Sequence, residues 1–198
     1  MKYVVTGEIA DPITVDEAKT HLRIPPGQRS DDTYIKGLIG AAREAAEAWM
    51  GRAIGLQTVT EYFEAWPNDG IFYLSINHVR EVLSVTYTDP DGVEVEMDTD
   101  DFYYDLIDFP ASFKLKETES IPSINTYTFN PIAVEYTAGW DPTQASEKIP
   151  DLILQGIKEH VADMYVNRTP VNIARDGRIA IQIPAPIQRL YGAYRARV

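Results

Sequence analysis

Glu44-Ala45-Ala46-Glu47-Ala48-Trp49-Met50-Gly51-Arg52-Ala53-Ile54-Gly55-Leu56-Gln57-Thr58 is the stretch on which the fold turns. Up to Met50 it ends a helix that starts at Asp31-Asp32, where acids suit the positive end of the helix dipole. The apolar face of that helix is Tyr34, Ile35, Leu38, Ile39, Ala42, Ala45, Ala46 and Trp49, spaced at helical period. Gly51 is placed to close it as a left-handed cap residue. From Leu56 the period becomes two: Thr58, Thr60 and Tyr62 alternate with Val59, Glu61 and Phe63, as a strand requires. The chain therefore passes here from a helical part to a β part.

Upstream, residues 2–6 read as a short extended piece. Thr14 followed by Glu17 is a capping box for a helix running towards Leu22, which Pro25-Pro26-Gly27 ends. Downstream, strands are expected at Ile71–Ser75, Val82–Thr88, Val93–Met97, Phe102–Leu106 and Ala133–Tyr136. Asp89-Pro90-Asp91-Gly92 makes a hairpin turn, in which Pro presets φ and Gly supplies φ > 0. Hairpin links imply antiparallel pairing. Ala138-Gly139-Trp140-Asp141-Pro142 closes the β part. Pro150 then opens a helix with Leu152, Ile153, Ile157, Val161, Met164 and Tyr165 on one face. Residues 169–184, with Thr169-Pro170 and Asp176-Gly177, read as a loop holding a short strand at Ile179–Ile183. Pro184-Ala185-Pro186 begins a last short helix with Ile187, Leu190, Tyr191 and Tyr194. The expected fold class is α+β: a small α-helical bundle from residues 1–55 and 138–198, interrupted by an inserted antiparallel β domain at 56–137.

The 198 residues suffice for one sizeable domain or two small ones. No window reaches the roughly 18 apolar residues of a membrane span, so no membrane role is expected. The N-terminus lacks the apolar core of a secretory signal. The absence of cysteine removes disulfides, thiol catalysis and Cys-ligated metal, and fits a cytosolic protein. Net charge is −12. Residues 151–198 hold seven Lys/Arg against four acids, a net of +3, which leaves −15 for the first 150. An acidic body argues against wrapping nucleic acid, since phosphate neutralisation needs clustered Lys/Arg. The basic tail is either a head-to-tail complement to the acidic body of a neighbour or simple surface composition.

No catalytic, cofactor-binding or metal-binding residue is assigned. His21, His78 and His160 lie in separate elements without zinc spacing. The acids Asp89, Asp91, Glu94, Glu96, Asp98, Asp100, Asp101, Asp105 and Asp108 read first as a solvated surface, which would also repel DNA passing nearby. Their rival reading is the carboxylate pair of a hydrolase. No serine sits in a nucleophile elbow, and Gly37 and Gly40 fall within a helix rather than a phosphate loop. Tyr62, Phe63, Trp66, Phe72 and Tyr73, almost without interleaved cations, are β-core or interface residues sooner than a base-stacking platform. Binding of duplex DNA by an accessory protein is the weakest of the readings.

The order of these segments resembles the phage head–tail connector (adaptor) proteins. The resemblance is carried by Pro12 through Arg23, by Asp31 through Glu44, by Gly51-Arg52-Ala53-Ile54-Gly55-Leu56-Gln57-Thr58, by Tyr136-Thr137-Ala138-Gly139-Trp140 and by Ile149-Pro150 through Arg168. The long β insert is similar to that of the larger subgroup, which carries an inserted β domain. The resemblance implies a non-enzymatic structural protein without cofactors, made in the bacterial cytoplasm and residing in the virion neck, in a phage or prophage context of DNA packaging. It implies a homo-oligomeric ring of about a dozen subunits closed by head-to-tail contacts. Portal and tail-completion proteins would be its partners, and DNA would pass through without sequence-specific binding. On this reading Ile35, Leu38, Ile39, Trp49, Ile157 and Met164 form a core or subunit-interface helix face. Arg189, Tyr191, Tyr194, Arg195 and Arg197, within Pro184–Val198, form a partner-docking arm that orders on binding.

Overall fold

A computed structural model describes residues 2–7, 9–107, 109–141, 148–167 and 183–195. It is α+β, as the hydrophobic periods require. The chain divides into two compact units. One comprises Ala10–Met50 with Gln144–Arg195. The other comprises Met1–Ile9, Gly51–Thr143 and Ala196–Val198.

The helical unit holds α1 (Val15–His21), α2 (Asp32–Met50), α3 (Asp151–Val166) and α4 (Ala185–Gly192). The capping box of α1 forms as its sequence dictates. Glu17 N–H donates to Thr14 Oγ1 at 3.2 Å, and Thr14 N–H donates to Glu17 Oε2 at 2.8 Å. These bonds, the backbone one foremost, hold the Glu17 carboxyl below its usual range. Ile35, Ile39, Ala42, Ala46 and Met50 of α2 are buried, as are Ile153, Ile157 and Val161 of α3 and Ile187 and Tyr191 of α4. The Lys19 ammonium, also buried, is satisfied by Asp32 at 2.8 Å and the Pro26 carbonyl at 3.3 Å. A buried cation persists only when paired in this way.

In the β unit, β1 (Lys2–Thr6), β2 (Gln57–Phe63), β8 (Ile132–Ala138), β4 (Val79–Thr88) and β5 (Glu94–Met97) form an antiparallel sheet in the order β1-β2-β8-β4-β5. A second, three-stranded sheet has the order β3-β7-β6, from Ile71–Tyr73, Ser112–Leu115 and Phe102–Asp105. A 3-10 turn at Thr99–Asp101 precedes β6. Central strand β8 sends Ile132, Val134, Tyr136 and Ala138 inward, all fully buried. They join Val59, Val82, Val85, Phe72, Phe102 and Phe113 in one core that both sheets share. The hairpin turn forms as its residues require: Asp89 Oδ1 accepts from the N–H groups of Asp91 and Val93, each at 2.9 Å, and Gly92 has φ 84°.

The division differs from the sequence expectation at both ends of the insert. Residues 2–6 pair with β2 over five registered positions, Lys2↔Tyr62 to Thr6↔Thr58, so the N-terminus belongs to the β unit rather than to the bundle. Residues 51–55 and 138–141 also go with the β unit, through bridges Arg52↔Asn77 and Gly55↔Trp140. Strand β7 carries too few apolar residues in Ser112-Phe113-Lys114-Leu115 to be read alone, and its pairing with two neighbours creates it. The strand expected at 179–183 and the turns at 169–170 and 176–177 lie outside the described residues.

Candidate assembly surfaces

The residues expected on the helix face separate by burial. Ile35, Ile39 and Ile157 are fully buried within the helical unit and serve its own core. Leu38, Trp49 and Met164 are half-buried. The expected docking residues also separate. Arg189 and Arg195 are exposed and Tyr194 is half-buried, whereas Tyr191 is fully buried. Arg197 lies outside the described residues. Tyr191 is thus a core anchor and not a free docking aromatic. Gly156 of α3 is the reason: a Cβ there would lie 2.4 Å from Tyr191 Cε1, so only glycine admits the ring. Trp49 packs on Tyr191 with centroids 6.4 Å apart, and the Arg195 guanidinium lies 4.9 Å from the Trp49 ring centroid. Helix α4 is accordingly a packed member of the helical unit, and an arm that orders only on binding does not describe it. Burial pushes the Tyr191 hydroxyl well above its ordinary pKa and pushes His160 down, with Asp163 opposing.

At one end of the β unit a tight junction explains several residues that sequence reading left without a role. Asn77 is buried; its Nδ2 donates to the Gly51 carbonyl at 3.0 Å, and its Oδ1 accepts from Ala111 N–H at 3.1 Å. Gly139 has φ 102°, and a Cβ there would lie 2.1 Å from the Gly55 carbonyl oxygen. The Gly-Trp pair at 139–140 is therefore set by backbone approach. His78, at φ 67°, stacks on Trp140 with centroids 4.0 Å apart. Burial, with Arg52 and Arg80 nearby, lowers its pKa to about 4. The Arg52 guanidinium sits 3.7 Å from the Phe109 ring centroid.

The acidic residues do not converge on a reaction centre. Asp89 and Asp98 spend their carboxylates on local turns, Asp98 Oδ1 accepting from Asp100 N–H at 2.9 Å. The fully buried carboxylate is instead Glu61 of β2, which in the sequence is only one of the alternating residues of a strand. It accepts from Ser75 N–H at 2.9 Å, from the Ser75 hydroxyl and from the Tyr136 hydroxyl at 3.1 Å. With three donors it is a structural tie between β2, β8 and the segment after β3. Burial, then Glu61, drives the Tyr136 hydroxyl far above its ordinary pKa. Among the described residues no group of His and acids could hold a metal ion, and no helix is long and apolar enough to cross a membrane.

Two apolar surface features stand out in the β unit. Pairing registers put Tyr73, Ser112 and Asp105 in one row and Ile71, Lys114 and Tyr103 in the next, on the outer face of the three-stranded sheet. Small Ser112 amid larger neighbours leaves a depression of about 230 Å³ lined by Ile71, Tyr103, Tyr104, Asp105, Ser112, Lys114 and, at its floor, Phe113. Lys114 and Lys116 hold their ammonium groups 5.8 and 5.5 Å from the Tyr103 ring centroid. The second feature is the loop from 116 to 131, which projects Tyr127, 98% exposed, and Phe129, 83% exposed. Its base is fixed. Asn125 N–H donates to the Thr88 carbonyl and Thr88 N–H to the Pro131 carbonyl, each at 2.8 Å. Asn130 N–H donates to Glu64 at 3.1 Å.

Residues 12–99 match the family described as phage gp6-like head-tail connector protein. Over these 88 of its 198 residues the chain is similar to that family. The match spans α1, α2 and strands β2 to β5 of the β unit, with Gly51, Asn77 and His78 of the junction inside it. No curated protein matches the chain. Among solved structures, a chain from the neck of an empty gene transfer agent (GTA) particle, computed with C6 symmetry, aligns with TM-score 0.77 at 20% identity, covering 100% of this chain and 97% of that one. A chain from the virion of the native GTA particle aligns with TM-score 0.76 at 21% identity over the same shares. A chain from the native GTA neck, computed with C12 symmetry, gives 0.72 at 19%. At these identities the shared property is the fold, and this chain shares it across both of its units.

Proposed function

We propose that this chain is a phage head–tail connector, a non-enzymatic structural protein of the virion neck, of the subgroup with a β domain, and that it assembles into a homo-oligomeric ring of about a dozen copies. The observation that carries the reading is the family match over the helix pair and junction, joined to a fold likeness to neck chains that leaves no part of this chain uncovered. The C6 and C12 symmetries of those neck structures support a ring. The ring would sit between the portal and the tail-completion proteins, with DNA passing through it unread, and the acidic surface would keep DNA from sticking. Arg189 and Arg195, with Tyr194 beside them, are the docking groups of the C-terminal region on this reading; Tyr191 holds their helix in place.

Light scattering over a concentration series, with negative-stain imaging, tests the proposal. Particles of about twelve subunit masses, seen as rings, are expected. A monomer at every concentration that also fails to join purified portal would sink it. No observation favours a carboxylate hydrolase, because Glu61 is committed to Ser75 and Tyr136.

A further inference from the structure

We propose that the ring contact is a knob-in-pocket joint between copies of this chain: Tyr127 and Phe129 of one copy seat in the depression around Ser112 on the three-stranded sheet of the next. The proposal rests on the ring reading above. Within one copy the two halves do not meet. Tyr127 and Phe129 are almost wholly exposed, and the depression is lined only by residues of β3, β6 and β7. Their chemistry matches. The knob presents two aromatic rings, and the pocket presents Ile71 and the exposed rings of Tyr103 and Tyr104 in about 230 Å³. That exceeds the roughly 150 Å³ apolar cavity that takes up benzene, so one of the two rings fills the depression and the other packs against its rim.

Charge agrees as well. The β segment 51–141 contains four basic side chains, Arg52, Arg80, Lys114 and Lys116; Lys114 lines the pocket together with one acid, Asp105, and Lys116 adds a second ammonium near the Tyr103 ring. The knob loop from 117 to 130 has Glu117 and Glu119 and no basic residue. The pinned base means that little conformational freedom is lost when the aromatics dock, the condition under which such residues become binding hot spots. Two different patches on one chain make a heterologous contact, the type that closes into rings.

Because the chain has no cysteine, single introduced thiols report the joint cleanly. Thr128→Cys lies between the two aromatics and leaves both in place, and Ser112→Cys changes the pocket floor least. The two variants, co-expressed with tags of different mass and treated with a short bismaleimide, should give the mixed dimer at least about tenfold above either homodimer. Adding Tyr127→Ser and Phe129→Ser to the Thr128→Cys chain should remove that adduct. A mixed adduct no more abundant than the homodimers, or one that survives loss of both aromatics, overturns the joint. Light scattering on the same samples separates the two proposals. Rings without the adduct sink only the joint, and the adduct without rings sinks only the ring.

Discussion

At the scale of single residues, three positions are decided by backbone and packing rather than by chemistry at a site. Gly139 combines φ 102° with a 2.1 Å approach of its missing Cβ to the Gly55 carbonyl oxygen. Gly139→Ala should therefore cost more than about 3 kcal/mol, because conformational strain and a backbone clash add; the denaturant midpoint measures this. Glu61→Ala should cost about 2–4 kcal/mol, since Ser75 and Tyr136 keep buried donors without an acceptor. A near-neutral urea titration would contradict that assignment. His78 is held neutral, its pKa lowered from 6.5 to about 4, and His160 is lowered too. An unfolded chain regains the ordinary value. Between pH 6.5 and 4 it binds more protons than the folded chain, so stability falls as pH is lowered through that window. His78→Asn, which tolerates the left-handed backbone, should start less stable for want of the Trp140 stack but show a shallower loss. Melting temperatures at pH 7 and pH 4.5 for both proteins decide the matter.

At the scale of elements, α4 is the instructive case. Its sequence showed a short helix with basic and aromatic residues, which fits an exposed arm as well as a packed helix. Gly156 on α3 resolves the ambiguity by opening the slot that Tyr191 fills. Tyr191→Ala should cost about 3–5 kcal/mol, in the range of large aromatic deletions. It should also expose the 183–195 segment to limited proteolysis, whereas Arg189→Ala leaves both readouts near wild type. A Tyr191→Ala protein as protease-resistant as the wild type would restore the free-arm reading. Strand β7 and the pairing of residues 2–6 follow the same logic. Each is short, and each is made a strand by a partner distant in sequence, β2 for residues 2–6 and β3 for β7. The longer elements α2, α3, β4 and β8 carried enough periodic signal to be read in place.

At the scale of the whole molecule, the net charge of −12 is concentrated rather than spread. Residues 51–141 carry four basic against seventeen acidic side chains, a net of −13. Segments 10–50 and 144–195 hold twelve of each and are balanced. The basic C-terminal stretch is thus offset by acids of its own unit, as in Lys158 with Glu17 at 3.9 Å, and is a weak complement to a neighbour's acidic body. Subunits brought side by side would repel through their β segments. Assembly should therefore strengthen as salt rises from about 0.01 M to about 0.15 M, as the screening length drops from about 30 Å to about 8 Å. Scattering mass that falls with salt would show that charge pairing, not apolar contact, holds the ring.

The amino-acid sequence by itself determined the α+β class, the helix caps, the change of period at Leu56, the Asp89–Gly92 hairpin and the family resemblance, because each depends on residues close together in the chain. Tertiary structure alone decided that residues 2–6 join the β sheet, that Glu61 is a buried tie, that Tyr191 is core and that Tyr127 and Phe129 are exposed and take no part in lining the depression around Ser112. Those facts depend on which distant segments meet, and a hydrophobic pattern records that a side chain needs burial without recording the partner that buries it.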